Sequence, residues 1–361
     1  MVNARFVLEG SRARERVDKV LARLLAPHSR ATVQRWIREG RVTVDGAVCR
    51  ARDSVASGAV LEVELGPDLL SAAQPDASVP FAVVYEDAHL IVVDKPAGIV
   101  VHPARGHRTG TLVSGLLARP GFAVAPRDER DPTGHLRPGI VHRIDKDTSG
   151  LLVVAKDALT REGLKHQLAA HSVTRVYQAL TRGVPRAARI DTCYGRDPRS
   201  RLRFTSRLRE GKRAVTNVRP LEVFRAGAAW VECRLETGRT HQIRVHLAEQ
   251  AGTPLLGDVL YGGISGLTAP RLERDDPARL ERAEKGQGGL SLDGTLNGIA
   301  RQLGRQALHA RVLGFEHPVT RQALHFESEL PPDFATALEA LRSWATAPRR
   351  SEPGEEPGKG R

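Results

Sequence analysis

The segment GIVHRIDKDTSGLLVVAKD, at residues 139–157, constrains the fold more than any other stretch of this sequence. Its centre carries five ionisable residues between two apolar runs: His142, Arg143, Asp145, Lys146 and Asp147. The second run, at residues 151–155, has the length and composition of a fully buried strand. A turn that served only solubility would need no apolar flanks. The pattern therefore predicts a loop between two buried strands, with its charged centre in a cleft.

Three functions of this charged loop are compatible with its residues. His142-Arg143 and a following Asp are typical of a kinase catalytic loop, but Ile144 intervenes and the sequence has neither a kinase glycine-rich loop nor DFG. Asp145 and Asp147 could bind a metal ion, but no other carboxylate or histidine motif converges with them. The third interpretation, one carboxylate presented into a cleft, is the one that the rest of the sequence favours.

The charge of the chain favours a polyanionic partner. Its 361 residues include 55 Lys and Arg against 42 Asp and Glu, a formal net charge of +13. Such an excess favours nucleic acid, because cations that neutralise phosphates release counterions. Three cysteines far apart indicate neither a zinc site nor a disulfide scaffold. The sequence shows no signal peptide and no apolar run near the about 20 residues that span a bilayer, so we expect a cytoplasmic protein.

The N-terminal residues predict a small α/β domain at 13–66. Apolar spacing indicates a helix at residues 16–25, and Ser29 can cap a second helix that ends near Gly40. A hairpin about Asp45-Gly46 and a strand at residues 60–65 complete the unit.

This N-terminal region, at residues 29–46, resembles the S4 RNA-binding domain. The resemblance implies that Arg30, Arg35 and Arg38 face RNA phosphates, contacts that position a protein without selecting a base sequence. The alternative is an exposed helix face that only water contacts.

Beyond a linker at 67–80, residues 81–346 predict a larger α+β domain around a mixed, largely antiparallel sheet. Strands are expected at 90–95, 139–141, 151–155, 175–181 and 229–236. Asp157 is expected to cap a helix that reaches about His171, and Thr240 one that reaches Ala251. A partly disordered insertion is predicted at 265–305 and a disordered tail at 347–361. The stripe of apolar residues just before the tail predicts a helix that packs on the core.

The charged loop closely resembles the signature of the RluA-type pseudouridine synthases, which isomerise uridine to pseudouridine in structured RNA. Further segments match that family in its order: YEDAHLIVVDKPAGIVVHPA, RVYQAL, GKRAVT, ETGRTHQIRVHLA, GDVLYGG and ALHARVLGFEHP. Because an S4-like unit precedes them, the chain resembles the large-subunit ribosomal RNA members most closely.

The resemblance implies roles for three residues. Asp145 matches the catalytic aspartate, Tyr177 matches the active-site tyrosine 32 residues further on, and Arg244 is the cation that pairs with the aspartate. A carboxylate nucleophile can detach the base, or attack its ring, so that the base rotates and rejoins through carbon. This chemistry needs no cofactor and no metal. The enzyme must extrude the uridine to reach it, and Tyr177 can stack on the extruded base.

Other cations are expected to contact RNA. Arg143 either fills the space that the base leaves or forms a structural ion pair with Asp147. Arg239, His241 and Lys212 are expected to bind phosphates or the RNA near the site. Residues 195–216 contain eight Lys or Arg against two acids, which favours phosphate docking.

The function that the sequence favours is therefore a monomeric, cofactor-free RNA pseudouridine synthase that acts on large-subunit ribosomal RNA. Three alternatives remain open. The substrate could be transfer RNA, the chain could be a non-catalytic ribosomal-RNA-binding assembly factor, or it could be a glycosylase that releases free uracil.

Overall fold

The computed structural model describes residues 2–8, 15–25, 30–65, 74–103, 109–120, 122, 138–262 and 292–346. The predicted Ser29 cap, residues 67–73 of the predicted linker, residues 265–291 of the predicted insertion and the C-terminal tail lie outside these ranges. The chain forms two compact units: Met1–Val79 with His102–Gly139, and Pro80–Val101 with Ile140–Arg361. No helix among the described residues is long and apolar enough to cross a membrane.

The described residues of the N-terminal unit contain short strands and three short helices. Its elements are β1 (Val2–Val7), β2 (Glu15–Arg16), α1 (Val17–Leu24), α2 (Arg30–Arg38), β3 (Val42–Val44), β4 (Ala47–Val48), β5 (Ser54–Val55), β6 (Val60–Leu65) and α3 (Leu112–Leu117). The main sheet has the order β1-β6-β3-β4. Asp45 and Gly46 both have positive φ, 51° and 80°, which is the geometry of the predicted two-residue hairpin.

Packing in this unit follows the apolar spacing of the two helices. Val17 and Leu21 of α1 and Val33 and Trp36 of α2 are fully buried in one cluster. The helices predicted at 16–25 and up to Gly40 are confirmed, and Gly40 has the positive φ of a helix stop. Strand β1, which pairs with β6 along its whole length, was not predicted.

In its described residues, the second unit contains a ten-stranded sheet and four helices. Its elements are β7 (Ala82–Glu86), β8 (Leu90–Lys95), β9 (Ser149–Ala155), α4 (Ala158–Ala169), β10 (Thr174–Arg182), β11 (Ala188–Arg196), β12 (Phe204–Thr205), β13 (Lys212–Phe224), β14 (Ala228–Leu235), α5 (Gln242–Glu249), α6 (Leu292–Leu303), β15 (Leu308–Glu316), β16 (Ala323–Glu327) and α7 (Pro332–Thr346). The strand order is β12-β11-β13-β14-β10-β15-β9-β8-β7, and β16 pairs with β15.

This large sheet is mixed and largely antiparallel, as predicted. Among the described strands, only β15 and β9 pair in parallel, through His309 opposite Ser149 and Ala310 opposite Gly150. The predicted α+β fold class is confirmed. The parallel pair lies directly after the charged loop, so the loop enters the middle of the sheet.

Residues 292–303 correct the prediction that 265–305 is loose. They form α6, whose Leu296, Ile299 and Leu303 pack with Phe334 and Leu338 of α7 in one buried cluster. The glycines in this stretch suggested a loop, but the apolar spacing over three and four residues produces a helix once α7 covers that face. The predicted packing role of α7 is confirmed.

Two further local predictions are wrong. Residues 139–141 form no strand and contribute one bridge, between Ile140 and Val154. Thr240 does not cap α5, because the helix begins one residue later and its N-cap is His241 with φ 61°. By contrast, the predicted cap at Asp157 is confirmed, since its carboxylate accepts from Thr160 N at the start of α4.

Candidate active site

The backbone of the charged loop is fixed at three consecutive carbonyls. The carbonyl of Asp145 accepts from Thr148 N at 3.1 Å, which closes a turn. The carbonyl of Lys146 accepts from the buried Lys95 Nζ at 3.0 Å and from Gly98 N at 2.9 Å. The carbonyl of Asp147 accepts from the guanidinium of Arg305. Because each anchor comes from a different part of the unit, the loop has little freedom to move.

Gly150 places this loop against the neighbouring strand. Its φ is 110°, and a Cβ at this position would lie 2.3 Å from the backbone oxygen of Ala310. No side chain fits in that space, so glycine is required where β9 meets β15.

Asp145 lies in this loop with one oxygen paired and one uncommitted. Its Oδ2 accepts from Nη1 of Arg244 at 3.2 Å, and the side chain keeps 16% of its exposure. Oδ1 accepts no hydrogen bond from the described part of the chain, and its nearest cationic candidate is Nε2 of His241 at 3.9 Å. A carboxylate held in this way is oriented by Arg244 and still accessible to a substrate.

Arg244, on the first turn of α5, is held by a second acid that the sequence analysis missed. Its Nε and Nη2 donate to the two oxygens of Asp258 at 2.7 and 3.0 Å, and the Asp258 side chain is fully buried. Asp258 also accepts from the backbone N–H groups of Leu260 and Tyr261. The bidentate pair fixes the guanidinium plane, so that Nη1 can only face Asp145.

The charge state of Arg244 follows from these contacts. Burial alone would lower the pKa of Arg244, but the hydrogen bonds and charges of Asp258 and Asp145 raise it above its ordinary value. The guanidinium is therefore a permanent cation next to Asp145.

Tyr177 is buried in β10, opposite Cys233 of β14 and Ala310 of β15. Burial raises its pKa to about 12, with Arg175 lowering it and the charge of Asp145 raising it further. The phenol therefore stays protonated near neutral pH. It can pack against a base or donate a hydrogen bond, but it does not supply a phenolate base.

Residues 89–249 of the chain match the family model of RNA pseudouridylate synthases, and residues 15–61 match that of the S4 domain. The ribosomal large subunit pseudouridine synthase D of Pseudomonas aeruginosa is 43% identical, over 91% of this chain and 92% of the relative. An uncharacterised RNA pseudouridine synthase of Bacillus subtilis, YlyB, is 42% identical, over 91% and 94%. The chain belongs to the RNA pseudouridine synthases. The predicted family and the predicted S4 domain are thus confirmed.

In this pseudouridine synthase, His241 and Tyr261 form the second layer behind the aspartate. His241 Nδ1 is 3.0 Å from the Tyr261 hydroxyl, and the Arg244 guanidinium lies over the Tyr261 ring at 5.2 Å. Burial lowers the pKa of His241, Asp145 opposes this shift, and Arg244 reinforces it, so the imidazole is neutral near pH 7. Tyr261, which was not predicted, orients both the histidine and the arginine.

His142 has a structural role. Its Nε2 accepts from Val153 N at 3.2 Å, and burial followed by the charge of Arg175 lowers its pKa to about 3. The ring is therefore a neutral acceptor for the strand that follows the loop.

The cations that were predicted to contact RNA have different surroundings. Arg143 is exposed beside Asp145, and within the described ranges it forms no ion pair with Asp147. Lys212 and Arg239 are exposed at the rim of a cavity near α5. In the N-terminal unit, Arg30 binds Asp18 at 2.7 Å and Arg35 is 3.5 Å from Glu39, whereas Arg38 is exposed. Contact of these residues with RNA stays a prediction.

Metal binding has no support in the part of the chain that the structure describes. No group of three or more His, Cys, Asp and Glu side chains there could hold a metal ion.

Proposed function

We propose that this enzyme isomerises uridines of large-subunit ribosomal RNA and that Asp145 is its nucleophile. The observation that carries the proposal is the asymmetry of Asp145: Arg244 holds Oδ2 at 3.2 Å, while Oδ1 stays uncommitted. The named activity of the Pseudomonas relative, and the S4 domain in front, support ribosomal RNA as the substrate.

The reaction assigns a task to each group around Asp145. The carboxylate forms a bond to the uridine, and the bond from ribose C1′ to N1 breaks. After the base has rotated, C1′ bonds to C5, and the bond to the carboxylate breaks, which frees Asp145. C5 then loses its proton and N1 gains one, so no oxidant or nucleotide is consumed. Arg244 stabilises the negative charge of the Asp145 carboxylate before its bond to the substrate forms and after that bond breaks. Tyr177 packs against the base.

Extrusion of the uridine is the remaining requirement. Arg143 is exposed and precedes the nucleophile by two residues in the same loop, so we propose that its side chain occupies the space that the extruded base leaves. Arg38, Lys212 and Arg239 are proposed phosphate contacts. We expect the enzyme to act as a monomer in the cytoplasm.

Tritium release from RNA labelled at uridine C5 tests the proposal. Wild-type protein and Asp145→Ala are incubated with large-subunit ribosomal RNA or transfer RNA, with no metal or nucleotide added. Release from ribosomal RNA by the wild type alone is expected. Release from transfer RNA alone would replace the substrate. Free uracil would indicate a glycosylase, and tight binding without release would indicate an assembly factor.

A further inference from the structure

A basic cavity of about 530 Å³ lies beside the start of α5. Its walls include Tyr194 and Arg196 at the end of β11, Phe204, Lys212, and Arg239 with Thr240 before the helix. The volume falls within the roughly 300–1,000 Å³ of small-molecule sites. None of the residues that line it is acidic.

The positive charge of this cavity is not neutralised. Within the described part of the chain, Arg196, Lys212 and Arg239 form no ion pair with a carboxylate. Neighbouring arginines differ, because Arg189 and Arg213 both bind Asp191, at 3.0 and 2.6 Å. The three cations of the cavity therefore favour an anionic occupant such as a phosphate.

One wall of the cavity consists of two stacked aromatic rings and an arginine side chain that lies over one of them. The rings of Tyr194 and Phe204 are stacked, with centroids 5.9 Å apart and planes 11° apart. The Arg196 guanidinium lies over the Phe204 ring at 4.9 Å and donates to the carbonyl of Arg201 at 2.8 Å. Its plane is thus fixed before a ligand arrives. The face turned away from Phe204 is available to a nucleobase, which stacks well on guanidinium planes.

Two contacts join the cavity to the active site. The Tyr194 hydroxyl donates to the carbonyl of Thr240 at 2.6 Å, and the next residue, His241, lies 3.9 Å from Asp145. The Phe204 ring meets the His241 ring edge to face at 5.7 Å. An RNA chain whose uridine reaches Asp145 would therefore bring a neighbouring nucleotide to the cavity.

We propose that this cavity binds one nucleotide that neighbours the target uridine, with its base on Arg196 and its phosphate at Lys212 and Arg239. The inference rests on the proposed RNA substrate. The enzyme would then recognise two nucleotides: the target uridine and a neighbour that is extruded or unpaired.

The test compares Arg196→Ala, Arg196→Lys and the control Arg225→Ala, which removes an exposed arginine that does not line the cavity. Dissociation constants are measured with a large-subunit ribosomal RNA transcript, and turnover by tritium release from the same RNA. Both Arg196 variants are expected to bind about tenfold more weakly, because lysine retains the charge but not the plane. Arg225→Ala is expected to bind within about twofold of wild type.

A second cycle uses a short RNA around the modified uridine, with an abasic nucleotide at each neighbouring position in turn. At one position the abasic RNA should bind wild type and Arg196→Ala equally. Full affinity of Arg196→Lys would overturn base stacking, as would equal losses in Arg196→Ala and Arg225→Ala. If wild type binds RNA without turnover, the proposed function fails, and the comparison of Arg196→Lys with Arg225→Ala still decides whether the cavity binds a base.

Discussion

Each of the two units contains an aspartate held by arginine, and the two differ in how completely they are bound. Asp18, in the N-terminal unit, is fully buried and accepts five hydrogen bonds from Arg16, Arg30 and Gln34. Asp145 accepts one side-chain hydrogen bond and keeps an oxygen free. The Asp18 carboxylate, whose two oxygens are both bound, joins two helices. A carboxylate that is held on one side only can still attack a substrate.

The largest expected effect comes from replacing the Asp145 carboxylate, which has the uncommitted oxygen. Asp145→Asn should reduce turnover by about 1,000-fold or more, because the amide is a poor nucleophile. The fold should persist, since Arg244 keeps its partner Asp258. Single-turnover tritium release and thermal unfolding measure the two outcomes. Turnover within tenfold of wild type would assign the chemistry to another residue.

A smaller loss is expected from the acid that orients Arg244. Asp258→Asn removes the bidentate pair, so the guanidinium can turn away from Asp145, and we expect turnover to fall about 100-fold. The loss should appear in kcat and leave the RNA dissociation constant unchanged. Glu222→Gln is the matched control, because it removes the partner of the exposed Arg342. A loss of RNA affinity without a loss in kcat would show that Asp258 supports the RNA-binding surface.

Asp18→Asn should affect stability and not chemistry. Removal of this charge should lower the free energy of local unfolding of α1 and α2 by about 2 kcal/mol, less than for a fully buried pair, because Arg16 and Arg30 are each 45% exposed. Hydrogen exchange of the amides in α1 and α2 measures this change. Turnover of bound RNA is expected to be unaffected.

The pH dependence of Asp18 has a defined sign. Burial raises its pKa, but hydrogen bonds from Gln34, Arg30 and Arg16 outweigh burial and lower it below the ordinary value. Its stabilising contribution is therefore present above about pH 3.9, the unfolded pKa, and is lost as the pH falls through the folded pKa. Protection that does not weaken in acid would contradict this assignment.

Lys95, which anchors the Asp145 loop, should give a second pH-dependent change in stability, in the alkaline range. Burial lowers its pKa to about 7, Asp147 raises it and Arg305 lowers it. Since the unfolded lysine keeps its proton to about pH 10.4, stability should rise between pH 7 and 10 by about 1 kcal/mol per unit. Denaturant unfolding of wild type and Lys95→Met should show that the variant lacks this part of the slope. If the stabilities of wild type and Lys95→Met change with pH in parallel, Lys95 is not the source of the slope.

The smallest effect is expected among the arginines of α2. Arg38→Ala should weaken RNA binding about threefold and reduce the dependence on salt by about one phosphate contact, because Arg38 is exposed. Arg30→Ala should change affinity less and reduce the protection of α1 and α2 more, because Arg30 binds Asp18. Equal losses of affinity in both variants would show that RNA displaces the Arg30 pair. Filter binding at several salt concentrations distinguishes these outcomes.

The sequence predicted the elements with strong periodicity and the residues that share one motif. Strand β8, the helix after Asp157 and the pairing of Asp145 with Arg244 were all expected and are present. Asp258 was missed because its bond to Arg244 depends on how the chain returns after α5, and no local pattern reports that path. Helix α6 was missed because its apolar face is buried only by packing against α7, which is distant in the sequence.

The start of α5 shows why caps are difficult to predict. A threonine before the helix suggested a cap, but no side chain caps the start of α5, whose N-cap residue is His241. The side chain of Gln242 instead binds the segment that precedes the helix. It accepts from Arg239 N and from the Thr237 hydroxyl. His241 is then free to adopt φ 61° and to point its ring toward Asp145.

Gly150 separates two kinds of information that the charged loop contains. Its place against Ala310 is a matter of space alone, and a chain of this fold that had lost its nucleophile would still need glycine there. The glycine therefore diagnoses the architecture and Asp145 diagnoses the reaction. Among related sequences, the glycine would identify chains that share this fold. Only the aspartate would distinguish the enzymes from inactive chains.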